Sequence, residues 1–205
     1  MKIKICGLSN PKEVQKSVEF GSNFCGFILN YPKSHRHVSY ENVSNLIKID
    51  RRNSSFVGVL VKPSETELLK FSKLELDYFQ IYGDYNDEQI FDIKRKYKKK
   101  IIVAIQIKEK SDVKKYKNIR KSADIILWDS SGLEKSLSWN FEWINTVPKN
   151  IIRMIAGNIN INNLEKLSKI ADIIDVSGAL ETNKVKDVDK IKNFIKKVKK
   201  INDQN

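Results

Sequence analysis

The chain opens with Lys2-Ile3-Lys4-Ile5-Cys6-Gly7, a stretch that alternates lysine with isoleucine and ends on a thiol and a glycine. This pattern predicts a strand, and a segment with helical periodicity follows it. The same unit recurs along the whole chain. Strands are predicted at residues 2–6, 24–29, 56–61, 77–82, 101–105, 124–128, 151–155 and 172–177. Helices are predicted near residues 11–20, 40–49, 64–73, 86–97, 111–120, 139–146, 160–169 and 187–201.

Eight alternating units predict parallel strands that are joined by right-handed crossovers. The candidates are an open, doubly wound sheet and a closed barrel. An open sheet that binds a dinucleotide carries a GxGxxG turn after an early strand, but this chain has no such run and only 8 glycines. Units of about 25 residues fit a compact closed barrel. We therefore predict an α/β fold, a single (β/α)8 TIM barrel with a parallel eight-stranded sheet, in which residues 1–205 form one domain.

The composition is ordinary for a globular protein, with 40% hydrophobic and 31% charged residues. No apolar run is long enough to span a membrane, and the first predicted strand leaves no room for a signal-peptide core. The two cysteines fall in different predicted strands and form no CxxC pair. These features predict a cytoplasmic protein with free thiols, no metal site and no membrane partner.

The net charge of +13 has two interpretations. A basic protein can bind nucleic acid or an anionic surface. However, only six of the 38 basic residues are arginines, and the lysines are spread along the whole chain. In the last predicted helix they occupy the face opposite the apolar residues, and no aromatic residues cluster with them. This pattern favours a solvated basic surface without a nucleic-acid partner, whose positive field would help to capture an anionic substrate.

Polar residues at the strand ends are the candidates for an active site in such a barrel. Cys6 ends the first strand, where its thiol is either a reactive group or a small buried hydrophobe. Asp129 follows four apolar residues; it is either a turn residue or a general acid whose pKa is raised by apolar surroundings. Arg36 follows the second strand as either a solvated charge or a planar partner for a carboxylate or phosphate. The flanking His35 and His37 have no acidic neighbour in sequence, which argues against a catalytic role.

Two glycine-containing turns follow the last two predicted strands. They are Gly157-Asn158 and Ser177-Gly178. Barrels often bind phosphate at this position through backbone amides, because glycine lets the backbone approach the anion closely. The alternative is that these residues form ordinary connecting loops. However, two such turns occur after the two expected strands, which favours a phosphate site.

Seven segments, in order along the chain, carry a resemblance to a known family. They are Lys4-Ile5-Cys6-Gly7-Leu8-Ser9, Gly26-Phe27-Ile28 with Pro32-Lys33-Ser34-His35-Arg36, Val57-Gly58-Val59-Leu60-Val61, Gln80-Ile81-Tyr82-Gly83, Leu127-Trp128-Asp129-Ser130, Ala156-Gly157, and Asp175-Val176-Ser177 with Glu181. Together they resemble the phosphoribosylanthranilate isomerase family of tryptophan biosynthesis. The first segment is similar to the family's N-terminal Lys-Ile-Cys-Gly-Leu-Thr, and the ordered set covers nearly the whole chain.

The resemblance implies an Amadori rearrangement of N-(5-phosphoribosyl)anthranilate to 1-(2-carboxyphenylamino)-1-deoxyribulose 5-phosphate, without a metal or an organic cofactor. It implies that Asp129 is the acid that protonates the ribose ring oxygen and that Cys6 is the base that removes the C2 proton. Arg36 would hold the anthranilate carboxylate. The phosphate would be held by Gly157, Asn158, Ser177 and Gly178.

The chain departs from the family pattern at four places. Gly157-Asn158-Ile159 replaces Gly-Gly-Leu, and residues 177–180 read Ser-Gly-Ala-Leu instead of Ser-Ser-Gly-Val. Ala179 would be strained if that position required a positive φ angle. Residues 130–134 replace a Gly-Gly-Thr-Gly loop over the site, and Tyr82 replaces a histidine.

Other functions stay open on the sequence alone. One alternative is another phosphosugar-binding barrel, such as an epimerase or a synthase, although the epimerases use metal-binding sets that two neighbouring histidines do not supply. A second is a barrel that binds phosphate without turnover, and a third is a nucleic-acid-binding protein. The expected partner is a small phosphosugar-anthranilate substrate, and the sequence leaves open whether the protein is a monomer or a homodimer.

Overall fold

The computed structural model describes residues 1–130 and 137–204; most of the substituted loop at residues 130–134 therefore lies outside the described residues. Eight parallel strands form a closed barrel in chain order, and the eighth pairs with the first. The strands are β1 Lys2–Cys6, β2 Phe24–Ile28, β3 Ser55–Val61, β4 Tyr78–Tyr82, β5 Lys100–Ile107, β6 Ile125–Ser130, β7 Arg153–Ile155 and β8 Ile173–Val176. The predicted TIM barrel is confirmed.

Six α-helices are present among the described residues. They are α1 Pro11–Phe20, α2 Tyr40–Leu46, α3 Glu65–Ser72, α4 Asp87–Tyr97, α5 Leu164–Leu167 and α6 Val188–Asn202. The helix starts follow local sequence signals. Asn10 and Glu13 form a capping box with Pro11 at the first helical position, and Ser64 does the same with Glu67.

The apolar core has two layers, because side chains alternate between the inside and the outside of each strand. The outer layer lies between the barrel and the helices and includes Ile3 and Ile5 of β1. The inner layer fills the barrel and includes Val59, Leu127 and Met154. Consequently the isoleucines of the opening strand face the helices, while Lys4 and Cys6 share the opposite face of that strand, inside the barrel.

Three of the predicted helices differ from the structure. The segments after β5 and β6 are 3₁₀ helices, Lys110–Asn118 and Phe141–Thr146, and after β7 only the four residues of α5 are α-helical. The last case has a clear cause. The Asn160 side chain accepts a hydrogen bond from the Asn162 N–H, and the Asn163 side chain accepts one from the Asn160 N–H. Such bonds compete with helix formation.

The helical cover of the barrel is therefore uneven. Around β1 and β8 it consists of α1 and the 15-residue α6, which pack against each other. The segments that follow β5, β6 and β7 are two 3₁₀ helices and the four-residue α5. No helix in the described ranges has both the length and the apolar character that crossing a bilayer requires.

A small hairpin follows β8 and was not predicted. After a short 3₁₀ turn at Gly178–Leu180, the strands β9 Glu181–Thr182 and β10 Val185–Lys186 pair antiparallel. Asn183 and Lys184 form the turn with φ angles of 52° and 64°, as a tight hairpin turn requires. The hairpin brings Glu181 and Lys186 to the C-terminal end of the barrel.

Candidate active site

A cavity of about 360 Å³ opens at the C-terminal end of the barrel. Every residue that the sequence predicted for the site lines it: Cys6, Arg36, Asp129, Gly157, Asn158, Ser177 and Gly178. The barrel thus brings together groups that are up to about 170 residues apart in sequence. The volume lies in the range of small-molecule sites.

Cys6 stands beside a buried ion pair. Lys4, on the same face of β1, is fully buried, and its Nζ donates to Asp175 Oδ2 of β8 at 2.7 Å. The Lys4 ammonium also interacts electrostatically with the Cys6 side chain. Burial alone would lower the pKa of Lys4, but the charges of Asp175 and Cys6 more than offset this effect and raise it, so Lys4 stays charged. Burial raises the pKa of the Cys6 thiol, and the Lys4 charge opposes that rise by stabilising the thiolate.

Asp129 is held by two donors at the end of β6. The Tyr82 hydroxyl donates to its Oδ2 at 2.8 Å, and the Ser130 N–H donates to its Oδ1 at 2.7 Å. Gln80 Nε2 in turn donates to the Tyr82 hydroxyl oxygen, which directs the phenol hydrogen towards Asp129. Burial raises the pKa of Asp129 to about 6, although both donors stabilise the ionised form. Asp129 is therefore partly protonated near neutral pH, as a general acid must be.

Arg36 is fixed by a carboxylate from the hairpin. Its Nε and Nη2 donate to the two oxygens of Glu181 at 2.5 and 3.0 Å. Lys186 Nζ also donates to Glu181, at 2.5 Å, and His35 contacts it at 3.1 Å. Burial alone would raise the pKa of Glu181, but Arg36 and Lys186 hold it at about 2. Because Glu181 occupies one edge of the guanidinium, the remaining N–H groups are left for a ligand in the cavity.

The position of Arg36 explains why the opening segment ends on glycine at residue 7. The φ angle of Gly7 is +76°, and a Cβ atom there would overlap Cδ of Arg36. The arginine stem therefore passes directly over the Cys6–Gly7 peptide, which only glycine permits.

The two predicted phosphate turns line the cavity. Within the described ranges, the N–H groups of Gly157, Asn158, Gly178 and Ala179 make no hydrogen bond in the protein. Asn158 has a φ angle of 51°, so asparagine serves here in the left-handed conformation that it tolerates better than most residues. Ala179 does not have a positive φ angle, and the strain anticipated at that position is absent.

Ser177 uses its hydroxyl within the protein. Its Oγ donates to the Cys6 carbonyl at 2.9 Å and accepts from Lys186 Nζ at 3.2 Å. It thereby connects the ends of β1 and β8. Its hydroxyl is therefore already engaged within the protein.

Five residues of the site were not predicted as functional, namely Lys4, Tyr82, Asp175, Glu181 and Lys186. Asp175 and Glu181 stood within the segments that carry the family resemblance, so that signal was present in the sequence. Lys4 stood in the opening strand, but only barrel closure places it against β8. Nothing in the sequence around Lys186 distinguishes it from the other lysines. Among the described residues, no three His, Cys, Asp or Glu side chains group closely enough to hold a metal ion.

Comparison with known proteins identifies the family. Residues 3–197 match the model of the N-(5'-phosphoribosyl)anthranilate (PRA) isomerase family. The chain belongs to this family.

Individual relatives agree over their full lengths. The chain is 33% identical to N-(5'-phosphoribosyl)anthranilate isomerase of Streptococcus mutans over 202 residues, which cover 97% of this chain and 99% of the relative. Monomers derived from the dimeric phosphoribosylanthranilate isomerase of Thermotoga maritima have a TM-score of 0.85 at 26% identity, with 98% and 99% coverage. A phosphoribosylanthranilate isomerase in complex with reduced 1-(o-carboxyphenylamino)-1-deoxyribulose 5-phosphate has a TM-score of 0.82 at 26% identity, with the same coverage. The PRA isomerase family thus accounts for the whole barrel.

Proposed function

We propose that the chain converts N-(5'-phosphoribosyl)anthranilate to 1-(2-carboxyphenylamino)-1-deoxyribulose 5-phosphate, with Asp129 as the acid and Cys6 as the base. Membership of the PRA isomerase family supports the reaction. The observation that carries the residue assignment is the shared cavity, in which a carboxyl group with a pKa of about 6 and a thiol beside a buried ammonium are both present.

The reaction begins at the ribose ring oxygen. Asp129 gives its proton to that oxygen, the C1–O bond breaks, and the nitrogen lone pair forms a C1=N iminium. The Cys6 thiolate then removes the proton from C2, and the electron pair forms a C1=C2 enolamine while the iminium nitrogen is neutralised. Finally the enolamine loses its hydroxyl proton at C2–O and gains a proton at C1, which gives the ketone. Both proton transfers need groups that are correctly ionised near neutral pH.

Burial raises the pKa of both groups, which favours the role of Asp129 as an acid and opposes ionisation of Cys6. A buried carboxyl group keeps its proton to a higher pH than an exposed one, which suits an acid. A thiol needs a nearby positive charge to ionise, and Lys4 supplies it from a position that water does not reach. The pairing of Lys4 with Asp175 holds that ammonium in place.

Substrate binding is assigned to the two charged ends of the ligand. Arg36 would bind the anthranilate carboxylate through the N–H groups that Glu181 leaves free. The phosphate would be held by the backbone N–H groups of Gly157, Asn158, Gly178 and the Ser177 turn. The net charge of +13 favours the approach of such an anion.

We also infer a cytoplasmic location and no nucleic-acid partner. A role in amino-acid biosynthesis and the two free thiols, Cys6 and Cys25, support the location.

A turnover assay tests the proposed reaction. We expect the purified protein to consume phosphoribosylanthranilate that is generated in situ, seen as the loss of anthranilate-type fluorescence. An absence of loss with properly folded protein would contradict the proposal and leave a barrel that binds phosphate esters without turnover.

Arg36→Ala is expected to raise KM by roughly 10- to 100-fold with a much smaller change in kcat, because a charged hydrogen bond of this kind contributes about 1.5–3 kcal/mol to binding. Steady-state kinetics on the fluorescent substrate measure both constants.

Arg51→Ala is the matched control, because Arg51 pairs with Asp77 outside the cavity. An unchanged KM in Arg36→Ala would exclude the carboxylate-binding role.

A further inference from the structure

One oxygen at the cavity has no hydrogen-bond partner in the protein. Asp175 Oδ2 accepts from Lys4 Nζ at 2.7 Å, but Oδ1 is buried and has no partner in the described part of the chain. The whole residue is only 6% exposed. A buried carboxylate oxygen without a donor is costly, so its presence calls for an explanation.

Position distinguishes this oxygen from the other unpartnered atoms. The described residues contain four such atoms, and the others are Glu13 Oε1, Ser17 Oγ and Gln80 Oε1. Glu13 and Ser17 belong to α1, outside the barrel, and Gln80 does not line the cavity. Of the four residues, Asp175 alone lines the cavity, where Cys6 and Asp129 also lie.

The neighbouring strands place Asp175 close to the proposed base. In the β1–β8 register Lys4 is opposite Asp175, and Cys6 lies one step further along the same face of β1. The ammonium of Lys4 pairs with Asp175 and interacts electrostatically with Cys6. A ligand atom that approaches the Cys6 thiol therefore also approaches the carboxylate of Asp175.

The chemistry of Asp175 limits what it can bind. Burial raises the pKa of Asp175, but Lys4 at 2.7 Å opposes this rise and favours the ionised carboxylate, which only accepts hydrogen bonds. The missing partner is therefore a donor. The phosphate and carboxylate of the substrate are anions and would be repelled, whereas its sugar hydroxyls are neutral donors.

We propose that Asp175 Oδ1 accepts a hydrogen bond from the C2 hydroxyl of the substrate ribose, at the carbon from which Cys6 takes the proton. The inference rests on the proposed function. The same hydroxyl becomes the enol of the enolamine, so Asp175 would hold this group from substrate binding until the ketone forms.

A comparison of two ligands tests the inference without turnover. The first is the reduced product, in which the C2 ketone has become a hydroxyl, and the second is its counterpart that lacks oxygen at C2. Wild type is expected to bind the hydroxylated ligand about tenfold more tightly, as measured by anthranilate fluorescence or calorimetry. In Asp175→Asn this preference is expected to fall several-fold, because an amide is a weaker acceptor than a carboxylate.

A second variant guards against loss of folding. Lys4→Met combined with Asp175→Leu removes both buried charges together, which such sites tolerate better than the loss of one partner. In this double variant the two ligands are expected to bind within about twofold of each other. Asp172→Asn is the control, because Asp172 lies at the opposite end of β8 and pairs with Arg153; it should keep the preference of wild type.

The outcomes separate the inference from the proposed function. If the variants weaken both ligands in parallel and keep the preference, Asp175 acts only through Lys4 and the inference is wrong. If wild type binds both ligands equally, the inference also fails while the proposed function stands. If wild type binds neither ligand, the proposed function fails and the inference fails with it.

Discussion

Replacing Cys6 with alanine is expected to lower kcat by roughly 10²- to 10⁴-fold, the usual contribution of a general base. The barrel should fold as before, since the thiol lies at the cavity and its removal leaves no buried polar group without a partner. The measurement is single-turnover or steady-state loss of substrate fluorescence, with the circular dichroism of each variant recorded alongside.

The chain contains its own control for this experiment. Cys25 is buried, contacts Ser22 Oγ at 3.2 Å, and has a pKa raised by burial to about 11. Cys25→Ala should keep kcat, and iodoacetamide should inactivate wild type through Cys6 alone. Protection by the reduced product would place that thiol in the substrate site. Near-wild-type turnover in Cys6→Ala would remove Cys6 as the base.

Replacing Asp129 with asparagine is expected to have two opposite effects. The general acid is lost, so kcat should fall by roughly 10²- to 10⁴-fold. The folded state should become more stable at pH 8, because burial raises the pKa of this carboxyl group from 3.8 to about 6. That rise corresponds to a cost of up to about 3 kcal/mol when the group is ionised. Asparagine has a single side-chain oxygen, so it keeps only one of the two hydrogen bonds that Asp129 accepts from Tyr82 and Ser130, and the loss of the other offsets about 1 kcal/mol of the gain.

The stability gained by Asp129→Asn should depend on pH. A carboxyl group with a raised pKa favours the folded state below its unfolded pKa, near 3.8, and this contribution is lost as the pH rises through about 6. The free energy of unfolding of Asp129→Asn should therefore increase relative to that of wild type between about pH 4 and pH 6, and the difference should stay constant above pH 6. Denaturant unfolding at pH 4, 6 and 8 measures it.

A control variant tests whether burial of the Asp129 carboxyl group causes the gain in stability. Asp124 also lies beside β6, but it pairs with Lys94 at the other end of that strand, so Asp124→Asn should be neutral or destabilising at every pH. Equal stability of Asp129→Asn and wild type at pH 4 and pH 8 would show that the Asp129 carboxyl group is not strained by burial.

The sequence was sufficient for the barrel and for bringing the predicted site residues together. Apolar strands at regular spacing predict parallel pairing, and parallel pairing places all strand ends on one face. Cys6, Asp129 and the two glycine turns therefore met as expected. The family resemblance added the proposed roles of Cys6 and Asp129.

The sequence was not sufficient for the contacts that set the chemistry. Alternation of lysine and isoleucine in β1 is typical of a strand with one solvent-exposed face. In the closed barrel, however, the isoleucines face the helices and Lys4 points inward. Its partner Asp175 lies 171 residues away, and only the closure of β8 onto β1 joins them. Glu181 reaches Arg36 through a hairpin of two-residue strands, which is too short for a periodic signal.

The uneven helical cover has a consequence for the dynamics of the enzyme. Cys6 and the Lys4–Asp175 pair belong to the side that α1 and α6 enclose, whereas Asp129 and the Gly157 turn belong to the side that is covered by short 3₁₀ segments. Regions with little packed cover open at lower free energy than the rest of a domain. Backbone amides of β6 and β7 should then exchange with deuterium sooner than those of β1 and β8. The proposed base would then lie on the more rigid side of the barrel, and the proposed acid on the side that opens more often.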